Sequence, residues 1–205
     1  MDASKLMDGA RVVPVVVIDD IETAVPLAEC LLSAGLRFIE VTLRSDAGLE
    51  AIERIAEDVP DMVVGAGSLR QAEQVEAVSR AGAKFGVAPG ATGRLLKVAQ
   101  QVRLPFVPGA ATPSEMLWLL QRGYSLQKFF PAELIGGIPF LKAVGAPIPE
   151  VRFMPTGGIN VANAGEYLAL KNVASVGGSW ITPSELLAAR NFDAISKLAS
   201  EAARL

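Results

Sequence analysis

The segment YSLQKFFPAE (residues 124–133) sets Lys128 among Leu126, Phe129 and Phe130. Lysine is rarely buried without a partner. An ammonium in such surroundings is costly unless it is paired or gives up its proton. A poorly solvated, uncharged amine is a nucleophile for carbonyl carbons. The other reading is a lysine paired to a carboxylate for structure alone. A second segment, RFIEVTLRS (residues 37–45), bears on the choice. In a strand, Phe38, Glu40 and Thr42 share one face and Ile39, Val41 and Leu43 share the other. The apolar trio suits a helix layer, so Glu40 points the opposite way, as a carboxylate able to shuttle protons. A buried Glu–Lys pair is expensive to keep for structure, which favours chemistry. Arg44 follows just past the end of this strand.

The remaining inventory narrows the chemistry. The chain of 205 residues has no histidine and one cysteine, Cys30. This removes Ser-His-Asp and Cys-His catalysis, histidine metal sites and structural zinc, and no motif elsewhere in the sequence calls for a metal or a cofactor. Cys30, beside Ala28, Leu31 and Leu32, reads as a buried inert thiol, and no internal disulfide can form. A net charge of −3 argues against nucleic acid or an anionic membrane surface as partner. The N-terminal stretch MDASKLMDGARV lacks the apolar run of a secretion signal, and the apolar stretches elsewhere are strand-sized. A soluble cytoplasmic protein is expected. Lys84 opens a strand, and Lys97, Lys142, Lys171 and Lys197 fall in helical patterns where solvated charge belongs.

Chemistry of this kind needs a scaffold that turns Glu40 and Lys128 toward each other. Eight apolar runs recur along the chain: residues 12–18, 37–43, 62–67, 84–89, 104–109, 124–130, 151–158 and 173–178. Amphipathic helical patterns lie between them, and small-residue turns such as Ala34-Gly35 and Ala81-Gly82-Ala83 precede several. Near-continuous apolar strands alternating with helices mean a parallel sheet covered by helices, and eight units favour closure into a (β/α)8 TIM barrel. An open doubly wound sheet is the rival, but no G-x-G-x-x-G follows the first strand. No linker or composition shift divides residues 1–205, which read as one domain. The first ten or so residues are expected to form a short helix under the barrel. Thr112-Pro-Ser-Glu115 and Thr182-Pro-Ser-Glu185 each read as a capping box, and residues 184–205 as one final amphipathic helix.

Active sites of such barrels gather at the C-terminal strand ends. There the sequence offers Ser68, a ligand or equally a helix N-cap, then Pro89, and two glycine-rich ends, Pro155-Thr156-Gly157-Gly158 and Gly177-Gly178-Ser179. Glycines after strands 7 and 8 let backbone amides approach a phosphate.

Taken together, IEVTLRS (39–45), VGAGS (64–68), APG (88–90), PGAATPSE (108–115), QKFFPAE (127–133), RFMPTGGI (152–159) and GGSW (177–180) resemble the KDPG/4-hydroxy-2-oxoglutarate (KHG) aldolase family. These are class I lysine aldolases on a small (β/α)8 barrel. The resemblance implies Lys128 as Schiff-base lysine and Glu40 as general acid/base. It implies Arg44 and Ser68 at the substrate carboxylate and Pro89 and Phe130 as pocket walls. It adds Thr156, Gly157, Gly158, Gly178 and Ser179 as substrate-binding residues of the phosphate end. The family usually has Thr where Ser68 stands. Some members carry Arg at the end of strand 1, where this chain has Ile18. The resemblance further implies a homotrimer and cleavage of 2-dehydro-3-deoxy-6-phosphogluconate to pyruvate and glyceraldehyde 3-phosphate. The galactonate epimer and 4-hydroxy-2-oxoglutarate stay open as substrates. A phosphosugar epimerase or isomerase would ordinarily rest on histidine or metal. A non-catalytic phosphate-binding barrel would leave Lys128 and Glu40 unexplained.

Overall fold

A computed structural model describes residues 1–205. Strand and helix alternate along the chain. The first half holds β1 (Val12–Val16), α1 (Ala24–Ser33), β2 (Phe38–Thr42), α2 (Gly48–Asp58), β3 (Val63–Gly67), α3 (Ala72–Arg80), β4 (Phe85–Val87) and α4 (Gly93–Gln101). The second half holds β5 (Phe106–Val107), β6 (Gly109–Ala110), α5 (Pro113–Leu120), β7 (Leu126–Phe129), α6 (Gly137–Gly145), β8 (Arg152–Pro155), α7 (Ala164–Leu168), β9 (Val176–Gly178), α8 (Ser184–Ala188) and α9 (Phe192–Ala202). No helix is long and apolar enough to cross a membrane.

Every strand pairing is parallel. The curled sheet is hydrogen-bonded in two blocks, β5-β4-β3-β2-β1-β9 and β6-β7-β8, rather than as one ring of eight. The fifth apolar run is split by Pro108, which has no N–H for a ladder. Between β8 and β9 the contact is reduced to isolated bridges, Phe153 to Val173 and Thr156 to Gly177.

The two faces of the strands enter two different cores, as the side-chain period of two requires. Val12, Val16, Ile39, Val41, Val64, Ala66, Phe129, Phe153 and Val176 face the helices in the larger apolar cluster. Val13, Phe85, Val87, Val107, Leu126 and Met154 meet inside the curled sheet. The interior cluster is completed from below by Ala3, Met7 and Ala10. The N-terminal segment thus fills the interior floor as expected, but it is not a helix. Residues 4–9 are turns held by Met7 N–H to Ala3 O (3.0 Å) and Ala10 N–H to Met7 O (3.0 Å).

Two further expectations need correction. Thr112 and Glu115 form a reciprocal capping box at the start of α5. Its twin does not form: α8 starts at Ser184, and the buried Thr182 Oγ1 has no partner. Thr182 instead donates its amide to Ser179 O at 3.3 Å, which spends it in the turn after β9. The last segment is two helices, not one. Arg190, at φ 51, breaks the chain direction, and Asn191 caps α9 by accepting from Ala194 N–H at 3.1 Å.

This contrast is testable by urea unfolding. Thr112→Ala is expected to cost about 1 kcal/mol, the usual worth of an N-cap. Thr182→Val, which removes an unpaired buried hydroxyl at constant shape, is expected to be neutral or stabilising. Equal losses at the two sites would contradict the assignment.

Candidate active site

Glu40 lies in the middle of β2 with Gly65 of β3 as its register partner, and Thr42 sits opposite Gly67. A Cβ at Gly67 would overlap the Glu40 carboxylate, and one at Gly65 would overlap the Phe85 ring. Neighbouring glycines on β3 therefore clear the space that a large acid and an interior phenylalanine occupy. Lys128 lies on β7, in register with Gly109 and Met154. It shares the interior-facing side with Leu126, as the sequence period predicts. The two residues come from different hydrogen-bonded blocks and meet across the interior: Lys128 Nζ is 3.1 Å from Glu40 Oε1. Glu40 is fully buried and Lys128 is 5% exposed. The ammonium also lies 5.5 Å from the centre of the Phe130 ring, within reach of a cation–π attraction. The second carboxylate oxygen, Glu40 Oε2, is buried with no partner in the protein.

The pair opens onto a cavity of about 220 Å³ at the C-terminal strand ends. Arg44, Ser68, Pro89 and Phe130 line it, and so do Thr156, Gly157, Gly158 and Ser179. Gly178 does not. It follows Gly177 in β9 and so turns to the other face, where a Cβ would run into the Trp180 ring. Gly177 takes the lining position. Ile18 is fully buried, and its carbonyl accepts from Ser45 Oγ at 2.5 Å, so the end of β1 brings no cation to the cavity.

Local contacts set the individual side chains. Arg44 Nε donates to Thr42 Oγ1 at 3.1 Å, and that hydroxyl donates onward to Val16 O at 2.9 Å. Arg44 is thereby held at the cavity edge with the rest of its guanidinium free. Ser68 has φ 60, a strained left-handed conformation for a residue with a Cβ. It does not cap α3. Gln74 Oε1 takes the amides of Arg70 and Gln71 at 2.8 and 3.0 Å there. The ambiguity over Ser68 therefore resolves toward the cavity.

On another part of the cavity wall, the loop after β8 runs through Gly157 (φ 98) and Gly158 (φ 82). The amides of Gly157, Gly158 and Ile159 donate to no acceptor in the protein, and neither does that of Ser179. Successive unpaired amides in a glycine-rich turn form a concavity suited to an anion. Thr156 Oγ1, buried and unpartnered, adjoins them. The cavity thus combines two cations, one carboxylate and a set of free amides, an environment for a reactant with anionic ends.

Four lining residues carry no site role in the sequence reading: Val15, Thr42, Ile159 and Gly177. Thr42 was readable, because it shares the Glu40 face. Gly177 follows from strand alternation once the strand phase is known. Val15 and Ile159 carry no chemical signal.

The family model for KDPG and KHG aldolase matches residues 3–198 of the chain. Over 200 residues the chain is 45% identical to the KHG/KDPG aldolase of Escherichia coli (strain K12), covering 98% of this chain and 94% of that protein. It superposes with TM-score 0.94 and 43% identity on KDPG aldolase from Legionella pneumophila, a structure in which pyruvate is captured at low pH as a covalent carbinolamine intermediate. That match covers 98% of this chain and 97% of the other. The KDPG aldolase of Zymomonas mobilis ZM4 with 3-phosphoglycerate aligns at TM-score 0.93 and 42% identity, over 98% and 95% of the two chains. Agreement over nearly the whole length, in a chain that joins a buried lysine to a buried glutamate at its cavity floor, places it in one group: it belongs to the KDPG and KHG aldolase family.

Proposed function

We propose that the chain is a metal-independent class I aldolase that cleaves 2-dehydro-3-deoxy-6-phosphogluconate reversibly to pyruvate and glyceraldehyde 3-phosphate. The observation that carries this reading is the buried Lys128–Glu40 pair, 3.1 Å apart, facing a cavity lined also by a loop of free amides. Residues 1–205 act as one domain, a (β/α)8 barrel in which β5 and β6 together supply the fifth strand. The bridges from β8 to β9 support that closure. Family membership extends the reading to a cytoplasmic homotrimer.

In the proposed mechanism, Glu40 takes a proton from the Lys128 ammonium and frees the amine lone pair. The amine adds to the C2 ketone to give a carbinolamine. Glu40 then returns the proton to the departing hydroxyl, water leaves, and a protonated imine forms on Lys128. The pair is buried, so the new positive charge is poorly screened by bulk water and draws electrons strongly. The C4 hydroxyl gives up its proton to Glu40, directly or through a water, and the C3–C4 bond breaks. Its electron pair moves into the imine to form an enamine, while glyceraldehyde 3-phosphate departs. Reprotonation at C3 and hydrolysis release pyruvate and restore the amine. Glu40 Oε1 faces the Lys128 ammonium, and Oε2, which has no partner in the protein, is available to the substrate. Arg44 and Ser68 hold the C1 carboxylate, Pro89 and Phe130 wall the carbon chain, and Thr156, Gly157, Gly158 and Ser179 receive the phosphate. Gly178 faces the Trp180 ring rather than the cavity and is left out of this set.

Three outcomes test the scheme. Borohydride with pyruvate is expected to trap an adduct that peptide mapping assigns to Lys128. An adduct on another lysine, or none, would overturn the assignment. Glu40→Gln is expected to lower kcat by about 10²–10⁴-fold, the worth of general acid–base help. Gly67→Ala, which forces the carboxylate aside, should share that loss, while normal turnover in both would move the base elsewhere. EDTA is expected to leave turnover unchanged, because the iminium supplies the electrophile that a metal would otherwise provide.

A further inference from the structure

The inward amides of the loop after β8 have an outer counterpart. The carbonyl of Thr156 accepts from Ala132 N–H at 2.8 Å, and that of Gly157 from Glu133 N–H at 3.1 Å. The carbonyl of Gly158 accepts from Asn163 Nδ2 at 3.1 Å. In a trans peptide the C=O and the following N–H point in opposite directions. Tying these carbonyls outward is therefore what turns the amides of Gly157, Gly158 and Ile159 the other way. Two of the three ties come from the short segment just after β7, and Glu133 anchors it. Its side chain lies across Gly158, where a Cβ would strike Glu133 Cβ and Cγ. Its carboxylate accepts a hydrogen bond from the hydroxyl of Tyr167 on α7. Tyr167 is fully buried. Gly137 makes room from the opposite side: a Cβ there would stand 2.9 Å from the Tyr167 hydroxyl and 3.1 Å from Glu133 Oε1. Burial and the Glu133 carboxylate both hold the phenol well above its usual pKa, so it remains a proton donor. Neither residue lines the cavity.

We infer that Glu133 and Tyr167 are positioning residues for the anionic end of the substrate. Their hydroxyl–carboxylate bond locks the segment after β7 against the loop after β8 and holds the loop amides aimed at a phosphate. The inference rests on the aldolase reading above.

The test uses the full chain and two assays. One is steady-state cleavage of 2-dehydro-3-deoxy-6-phosphogluconate. The other is exchange of the pyruvate methyl protons with deuterated solvent, followed by NMR, which requires imine formation but no phosphate. Tyr167→Phe and Glu133→Ala are expected to raise KM for the phosphorylated substrate about tenfold, with kcat and pyruvate exchange each within about twofold of wild type. Glu133→Gln keeps an oxygen that accepts the same bond, and should stay within about threefold of wild-type KM. An unchanged KM in Tyr167→Phe and Glu133→Ala would overturn the inference, as would equal losses in both assays, which mark a merely structural role. A wild-type protein that fails to exchange pyruvate protons would instead overturn the aldolase reading itself.

Discussion

An ammonium and a carboxylate buried 3.1 Å apart impose the strongest constraint in this molecule. Removing one partner of such a pair ordinarily costs about 3–5 kcal/mol, because the other charge is left uncompensated in a poorly polarisable interior. Each partner therefore fixes the other, and the backbone must deliver both. They stand on strands of different hydrogen-bonded blocks, β2 and β7, so the pair forms only if both blocks face a common interior. The small residues of β3 follow from this demand, since a side chain at Gly67 would displace the glutamate. Beneath the pair, Phe85, Val87, Val107, Leu126 and Met154, floored by Ala3 and Met7, exclude water from below. The cavity reaches the pair from the C-terminal strand ends, the side from which reactants can approach it.

Much of this arrangement was legible in the chain because β-strands alternate strictly. Residue parity groups Glu40 with Phe38 and Thr42, and Lys128 with Leu126 and Phe130, and the apolar trio on the other face of β2 turns Glu40 inward. Strand–helix alternation likewise settled the parallel sheet. The failures share a different origin. The two Thr-Pro-Ser-Glu segments are nearly identical locally, yet only Thr112 caps a helix, because Thr182 is drawn into the turn after β9. The family resemblance implies Gly178 at the phosphate end, whereas the phase of β9 gives the lining position to Gly177. The apolar pattern of residues 184–205 is continuous and predicts one helix, whereas the break at Arg190 is a backbone event that composition does not announce. Ser68 stayed ambiguous for a similar reason: its role depends on where α3 begins, which Gln74 decides from three residues inside the turn.

The two ends of the cavity use unlike means of holding charge. At the reactive end, Lys128, Glu40 and Arg44 carry full charges on side chains, each placed by one strand and trimmed by one or two contacts. At the far end no lysine or arginine lines the wall, and Ile18 stands where a strand-end cation could have been. An anion bound there must rely on partial charges of backbone amides. A side-chain cation attracts an anion from many directions, whereas an amide does so only along its N–H axis. The directional solution demands a rigid loop, and consecutive glycines at positive φ are the least rigid backbone available. Rigidity must then come from outside the loop, through carbonyls tied to neighbouring segments. On this argument the glycine-rich end and the Glu133–Tyr167 bond are one device. The glycines permit the amides to turn inward, and the outer bonds keep them there.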